Sequence, residues 1–285
     1  MSTIDSYQAP VSKLINLEDP KWDDKHWLDY VNQFGLSVVD LPELSRLILD
    51  DALVDDDGVP IFCEIHVLRA SVQIDPEAGI KLYIDQLTQF PEDDFLHEEI
   101  DGISRNVGVN AIAPFTKMLT DATQDERVRV TFANGLEKIG KTYLECRDAC
   151  VKPLIAQLQN YHVQDNDYLN SVLVSNLIEL NAVEAVDLIG EVFANRELDE
   201  WCTGSFAAAQ VSLGLKQKSD FSTEELAPKL PKNMLAIREM IDNLSKLVDL
   251  ESKNKKKRSL TPKKPAAKGF GSTKKTSSSK KKKNR

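Results

Sequence analysis

Cysteine is scarce in this 285-residue chain: there are four, and histidine is equally rare. So few thiols exclude a disulfide-stapled scaffold and fit a reducing compartment. Long hydrophobic runs are missing as well. No apolar stretch approaches the roughly 18 residues that a membrane-spanning helix needs. Met1–Pro10 lacks a basic region followed by an apolar core, so secretion is not expected. The cytoplasm is the expected compartment, with the nucleus as an alternative if the source is eukaryotic. The chain has no Gly-x-Ser-x-Gly elbow, and no cysteine stands in a recognisable His/Asn framework, so nucleophilic catalysis has no support. No glycine-rich loop opens a helix; Gly269-Phe270-Gly271 lies in a polar terminal stretch.

Charge is abundant and unevenly spread. Residues 1–251 hold 21 Lys/Arg against 45 Asp/Glu, a balance of −24, whereas 252–285 hold 15 Lys/Arg and no acid. The overall hydrophobic content of 41% is enough for a packed core in the first segment. In the second, only Leu260 and Phe270 are sizeable apolar residues. Such a composition cannot bury enough surface to offset the entropy of ordering, so a disordered basic C-terminal tail is expected.

The body is repetitive. Apolar residues recur at close to i, i+3, i+4, i+7 in Ile80–Leu87, Ile112–Leu119, Val151–Leu158 and Val186–Phe193, and Leu44, Leu47 and Ile48 begin the same pattern. This spacing places one apolar stripe on one face of a helix. The starts at 44, 80, 112, 151 and 186 are separated by 36, 32, 39 and 35 residues. A second helix follows each first, centred on Leu68, Ile103, Leu136, Leu177 and Val211, at offsets of 24, 23, 24, 26 and 25. Two series in near-constant phase predict a helix–turn–helix unit used about five times.

Local chemistry agrees with this phase. Pro76, following Asp75, suits the first turn of a helix, where its missing N–H costs nothing, and Pro91 with Glu92, Asp93 and Asp94 marks another helix start. Asp125 can cap a helix through Leu136 that is expected to stop at Gly140, and Asn166 or Asp167 can cap one over Tyr168–Leu180. Pro114 and Pro153 fall inside first-helix stripes, where proline either kinks a helix or occupies its first turn.

The proline in the first helix and the small-residue-rich second helices, Phe132–Gly140 and Phe206–Gly214, resemble HEAT-like and armadillo-type repeats. They look most like the short repeats also found in phycobilisome lyase subunits. The resemblance covers roughly Leu41 to Lys216. It implies an all-α fold, a right-handed α-solenoid of about five HEAT-like helix pairs. The expected organisation is an N-terminal capping helix region at 1–40, the solenoid at 41–216, a linker and C-terminal capping helix at 217–252, and the Lys-rich tail at 253–285. In the first region Asp24–Phe34 carries Trp27, Val31 and Phe34 on one helical face; with Trp22, Trp27 could instead form a partner pocket. In the third region Met234–Leu250 reads as one amphipathic helix.

Candidate metal ligands are weak. Cys63 and His66, and Cys146 and Cys150, have helical spacing, but zinc ordinarily needs four ligands. His97-Glu98 is the one His-Glu pair in the chain, whereas the similar HEAT-repeat di-iron hydroxylases use several, so His97 is read as a surface helix residue. The acidic run Asp50, Asp51, Asp55, Asp56 and Asp57 does not match an EF-hand loop and reads as a solvated loop. No cofactor is expected. Arg127, Arg129, Lys138, Lys141 and Arg147 form the one basic cluster of the body, a thin basis for the phosphate contacts that HEAT-like DNA glycosylases make. The tail offers a polyanion-binding set: Lys255, Lys256, Lys257, Arg258, Lys280, Lys281, Lys282 and Lys283. Such clusters hold nucleic acid or an anionic membrane surface without sequence specificity, and Lys255–Arg258 resembles a nuclear-import signal. The tail could also fold back on the acidic body or serve only as a solubilising extension.

The expected function is a non-enzymatic scaffold that binds a basic or mixed-charge protein on an extended repeat surface. A bilin lyase or chaperone-like subunit, and a tail-driven nucleic-acid-associated protein, are the alternatives.

Overall fold

The computed structural model describes residues 6–18, 20, 27–50, 62–163 and 167–229. The chain divides between Leu230 and Pro231, and everything described precedes that division. The expected helix at 234–250, the basic tail and Trp22 therefore lie outside the described residues. Within them the fold is all-helical, and no helix is long and apolar enough to cross a membrane.

Among the described residues fourteen α-helices succeed one another. They are α1 (Tyr30–Phe34), α2 (Leu41–Leu47), α3 (Cys63–Ile74), α4 (Pro76–Gln89), α5 (Asp94–Glu98), α6 (Ile100–Val107) and α7 (Ile112–Thr120). Then come α8 (Glu126–Thr142), α9 (Arg147–Leu158), α10 (Asp167–Glu179), α11 (Val186–Asn195), α12 (Glu200–Thr203), α13 (Phe206–Ser212) and α14 (Thr223–Leu226). The five first-helix stripes fall in α2, α4, α7, α9 and α11. The five second-helix centres fall in α3, α6, α8, α10 and α13. A short 3-10 turn leads directly into α2, α7, α9 and α11, so these four first helices share one mode of entry.

The caps explain several boundaries. Asp75 accepts bonds from the Glu77 and Ala78 amides with Pro76 at the first helical position, and Asp93 and Asp125 cap α5 and α8 in the same way. Pro114 occupies the first turn of α7. Pro153 lies inside α9. The carbonyl left without its helical donor there is that of Ala149, which is exposed and can turn to water.

Three expectations at this level need correction. Gly140 does not end α8, which continues to Thr142. A Cβ at Gly140 would sit 2.7 Å from Leu180 and 3.3 Å from Cys150, so this glycine serves close packing rather than a turn. The second helix centred on Ile103 is two helices, interrupted at Glu99. The N-terminal helix begins at Tyr30, where Asp29 caps it, and Trp27 precedes it outside any helix.

The apolar interior falls into two clusters. The larger runs from Ile65 to Leu213 and centres on Phe132, whose ring lies 5.1 Å from Phe115 and 6.0 Å from Tyr83. The smaller joins Tyr7, Val11, Leu14, Ile15, Tyr30, Leu36, Leu44 and Leu47 to Cys63, Val67 and Ala70 of α3. Neighbouring helices pack in chain order: α2 on α3, α3 on α4, α7 on α8, α8 on α9, and α9 on α10. Contacts also run in succession through α3, α6, α8, α10 and α12. Gly79 permits the tightest of these approaches, since a Cβ there would lie 2.5 Å from the Val72 backbone.

Candidate functional site

The basic cluster is neutralised by its own neighbours. Arg127 bonds Glu92 at 2.8 Å and Asp94 at 2.5 Å across the gap between successive second helices. Lys138 pairs with Asp101 of α6. Lys141 reaches Glu179 of α10 at 2.8 Å and Glu137 of its own helix at 3.0 Å. Arg147 bonds Glu184 and Asp148 and donates to the Leu180 and Asn181 carbonyls. Arg129 is buried and donates to the Leu119 carbonyl. These bonds raise the pKa of Arg127 (chiefly Asp94, then Glu92), Lys141 (chiefly Glu179) and Arg147 (chiefly Glu184), while burial lowers that of Arg129. The cluster is thus a ladder that ties helices together, not a phosphate-binding face.

The candidate metal ligands are committed elsewhere. His66 is buried, and its Nε2 donates to the Glu18 carbonyl at 2.9 Å. Its Nδ1, 2.6 Å from the Tyr30 hydroxyl, accepts from it. Burial keeps that phenol protonated, with its pKa raised. Burial also pushes the Cys63 and Cys150 thiols up to about 12, so neither is a ready thiolate. No group of three or more His, Cys, Asp and Glu side chains placed to hold a metal occurs among the described residues. Asp50 accepts a bond from Tyr7, and the rest of that acidic run lies outside the described residues. So do all eight tail residues, from Lys255 to Lys283.

His97 departs from its expected exposure. It is half-buried, with Nε2 donating to the Pro91 carbonyl at 2.8 Å and Nδ1 2.5 Å from the Thr131 hydroxyl of α8. It lines a hollow of about 320 Å³ with Glu98, Arg127, Asn134 and Tyr168. A second hollow, of about 750 Å³, lies between α4 and α7, floored by Ile80, Ile84, Pro114 and Met118 and rimmed by Lys81 and Lys117.

Sequence reading overlooked a repeated feature at the first hollow. The amides of Phe95, Arg127 and Trp201 each donate to an aspartate two residues earlier, Asp93, Asp125 and Asp199. Each is the second residue of its helix, and Tyr168 holds the same place in α10. The triplets Asp-Asp-Phe, Asp-Glu-Arg and Asp-Glu-Trp, at spacings of 32 and 74 residues, carry this signal in the sequence. Buried stripes, on which the repeat reading rests, say nothing of the residue just past a cap.

Comparison of the chain with protein-family models, with curated proteins and with solved structures found no match.

Proposed function

We propose that residues 41–216 form a HEAT-like α-solenoid that serves as a non-enzymatic scaffold for a basic or mixed-charge protein partner. The repeat reading is supported by three features: the 3-10 entry shared by four first helices, the proline within α9, and packing that follows chain order. The observation that carries the functional reading is the neutralised cluster. Arg127, Lys138, Lys141 and Arg147 are each bonded to carboxylates of a neighbouring helix. The body has a balance of −24, so its surplus of carboxylates remains for a partner. Complementary charge of this kind raises association rates and rejects acidic competitors.

The test is cross-linking of the full-length chain in nuclease-treated source lysate, followed by mass spectrometry. The expected result is a recurrent protein whose linked segment is net basic, joined to lysines such as Lys81, Lys117 or Lys152 and lost at high salt. Cross-links confined to lysines 253–283 would refute a scaffold in the body.

A further inference from the structure

We infer that the starts of α5, α8, α10 and α12 form one binding strip for an extended, arginine-rich polypeptide segment. The inference rests on the scaffold reading and names its site and partner chemistry.

The geometry begins with the caps. An aspartate at the N-cap position fixes the first turn of α5, α8 and α12, so the second helical residue holds the same place in that turn each time. At that place stand Phe95, Arg127 and Trp201, with Tyr168 in α10; they are 42% (Phe95), 51% (Tyr168) and 68% exposed (Trp201), and the Arg127 side chain is 38% exposed. The starts adjoin one another. Asp94, Arg127 and Tyr168 line the same hollow, and the Asp199 amide at the start of α12 donates to Ser171, one turn from Tyr168. At the far end the Phe95 ring meets Phe62 edge-on at 6.1 Å. Helices packed side by side lie about 8–10 Å apart, and an extended segment of polyproline II form advances about 3.1 Å per residue with three residues per turn. Every third side chain of such a segment therefore faces the strip and meets one start.

Charge selects the segment. Asp94 and Glu98 line the hollow, Asp167 directly precedes Tyr168, and Asp199 caps the helix of Trp201; of the cations at these starts, Arg127 bonds Glu92 and Asp94, Arg196 bonds Asp167, and Lys229 lies 3.6 Å from Glu200. An exposed aromatic face beside a carboxylate surplus suits a planar guanidinium, which stacks on the ring while donating to the acid. Nucleic acid is repelled by the same carboxylates. The uncovered aliphatic residues Leu144 and Val183 lie in the turns before α9 and α11 and have no aromatic companion at the equivalent place.

The test is fluorescence anisotropy with full-length chain and a labelled peptide of four Arg-Gly-Ser repeats, set against Lys-Gly-Ser and neutral Gln-Gly-Ser versions. The expected order is Arg, then Lys, with no binding of Gln. The Tyr168→Ala/Trp201→Ala variant is expected to bind the Arg peptide about tenfold more weakly, and Leu144→Ala to bind as the parent does. Both aromatic residues are exposed, so unchanged circular dichroism and Tm are expected to show an intact fold. Unaltered affinity in the double variant overturns the strip while leaving the scaffold reading standing. Failure of the parent chain to prefer either basic peptide over the neutral one overturns both.

Discussion

Two apolar clusters meet on α3, and they are held by different means. Ile65, Leu68 and Val72 face the larger, while Cys63, Val67 and Ala70 face the smaller. The larger is built from helices of up to 17 residues that satisfy most of their own backbone groups, so packing of Phe115, Phe132 and Tyr83 is enough to hold them. The smaller joins α3 to a four-residue 3-10 turn, the five-residue α1, the seven-residue α2 and non-helical chain. Short elements leave a large share of their N–H and C=O groups without internal partners. Side chains from α3 supply them. Gln73 accepts from the Tyr30 amide and donates to the Leu28 carbonyl, both at 2.8 Å, and His66 donates to the Glu18 carbonyl. Arg69 reaches the other way, into a buried pair with Glu99 at the interruption between α5 and α6, under the Trp27 ring at 5.3 Å. Long helices need apolar partners, and short ones need polar partners as well.

This contrast can be broken from either side. The largest effect is expected for Phe132→Ala, which empties the centre of the larger cluster and costs about 3–5 kcal/mol in denaturant unfolding. Glu99→Gln strands the buried Arg69 charge and is expected to cost about 3 kcal/mol, most of it regained in the apolar pair Arg69→Met/Glu99→Leu. Gln73→Ala leaves the part-buried Tyr30 amide without its partner, while the exposed Leu28 carbonyl can turn to water, for about 1 kcal/mol. It is expected to speed proteolysis near residue 28 while the fluorescence of a probe in the larger cluster stays native.

The last effect depends on pH. Burial, helped by the Asp93 charge, pushes the Glu64 carboxyl up to about 7, and its Oε1 is buried without a hydrogen bond. A carboxyl whose folded pKa exceeds its unfolded value of about 4.3 binds its proton more tightly when folded. Its stabilising contribution is complete below about pH 4.3 and is lost as pH rises through about 7. Glu64→Gln is therefore expected to gain about 1–2 kcal/mol over the parent between pH 5 and pH 8. A parallel pair of stability curves would contradict this.

Legibility in the sequence depends on range. Helix phase and helix starts are encoded within four residues, and the stripes beginning at Ile80, Ile112 and Val186, the first turn at Pro76, the start marked by Pro91 and Glu92–Asp94 and the cap Asp125 could be read directly. Pairings across a repeat could not. Arg69 and Glu99 are 30 residues apart, and His97 looked exposed because nothing local points to Thr131, 34 residues on. The basic cluster looked like a surface patch for the same reason: its carboxylate partners are mostly more than 30 residues away. Gly140 misled because glycine signals a helix end locally, whereas its role here is set by Leu180 on another element.

Hydroxyl-radical footprinting of the full-length chain, with and without the Arg-Gly-Ser peptide, reads the proposed strip directly, because oxidation reports side-chain exposure. Oxidation of Tyr168 and Trp201 is expected to fall severalfold on binding while Val39 and Leu144, exposed elsewhere, react as before. Tyr168 and Trp201 remaining as reactive in the complex as in the free chain would contradict the strip.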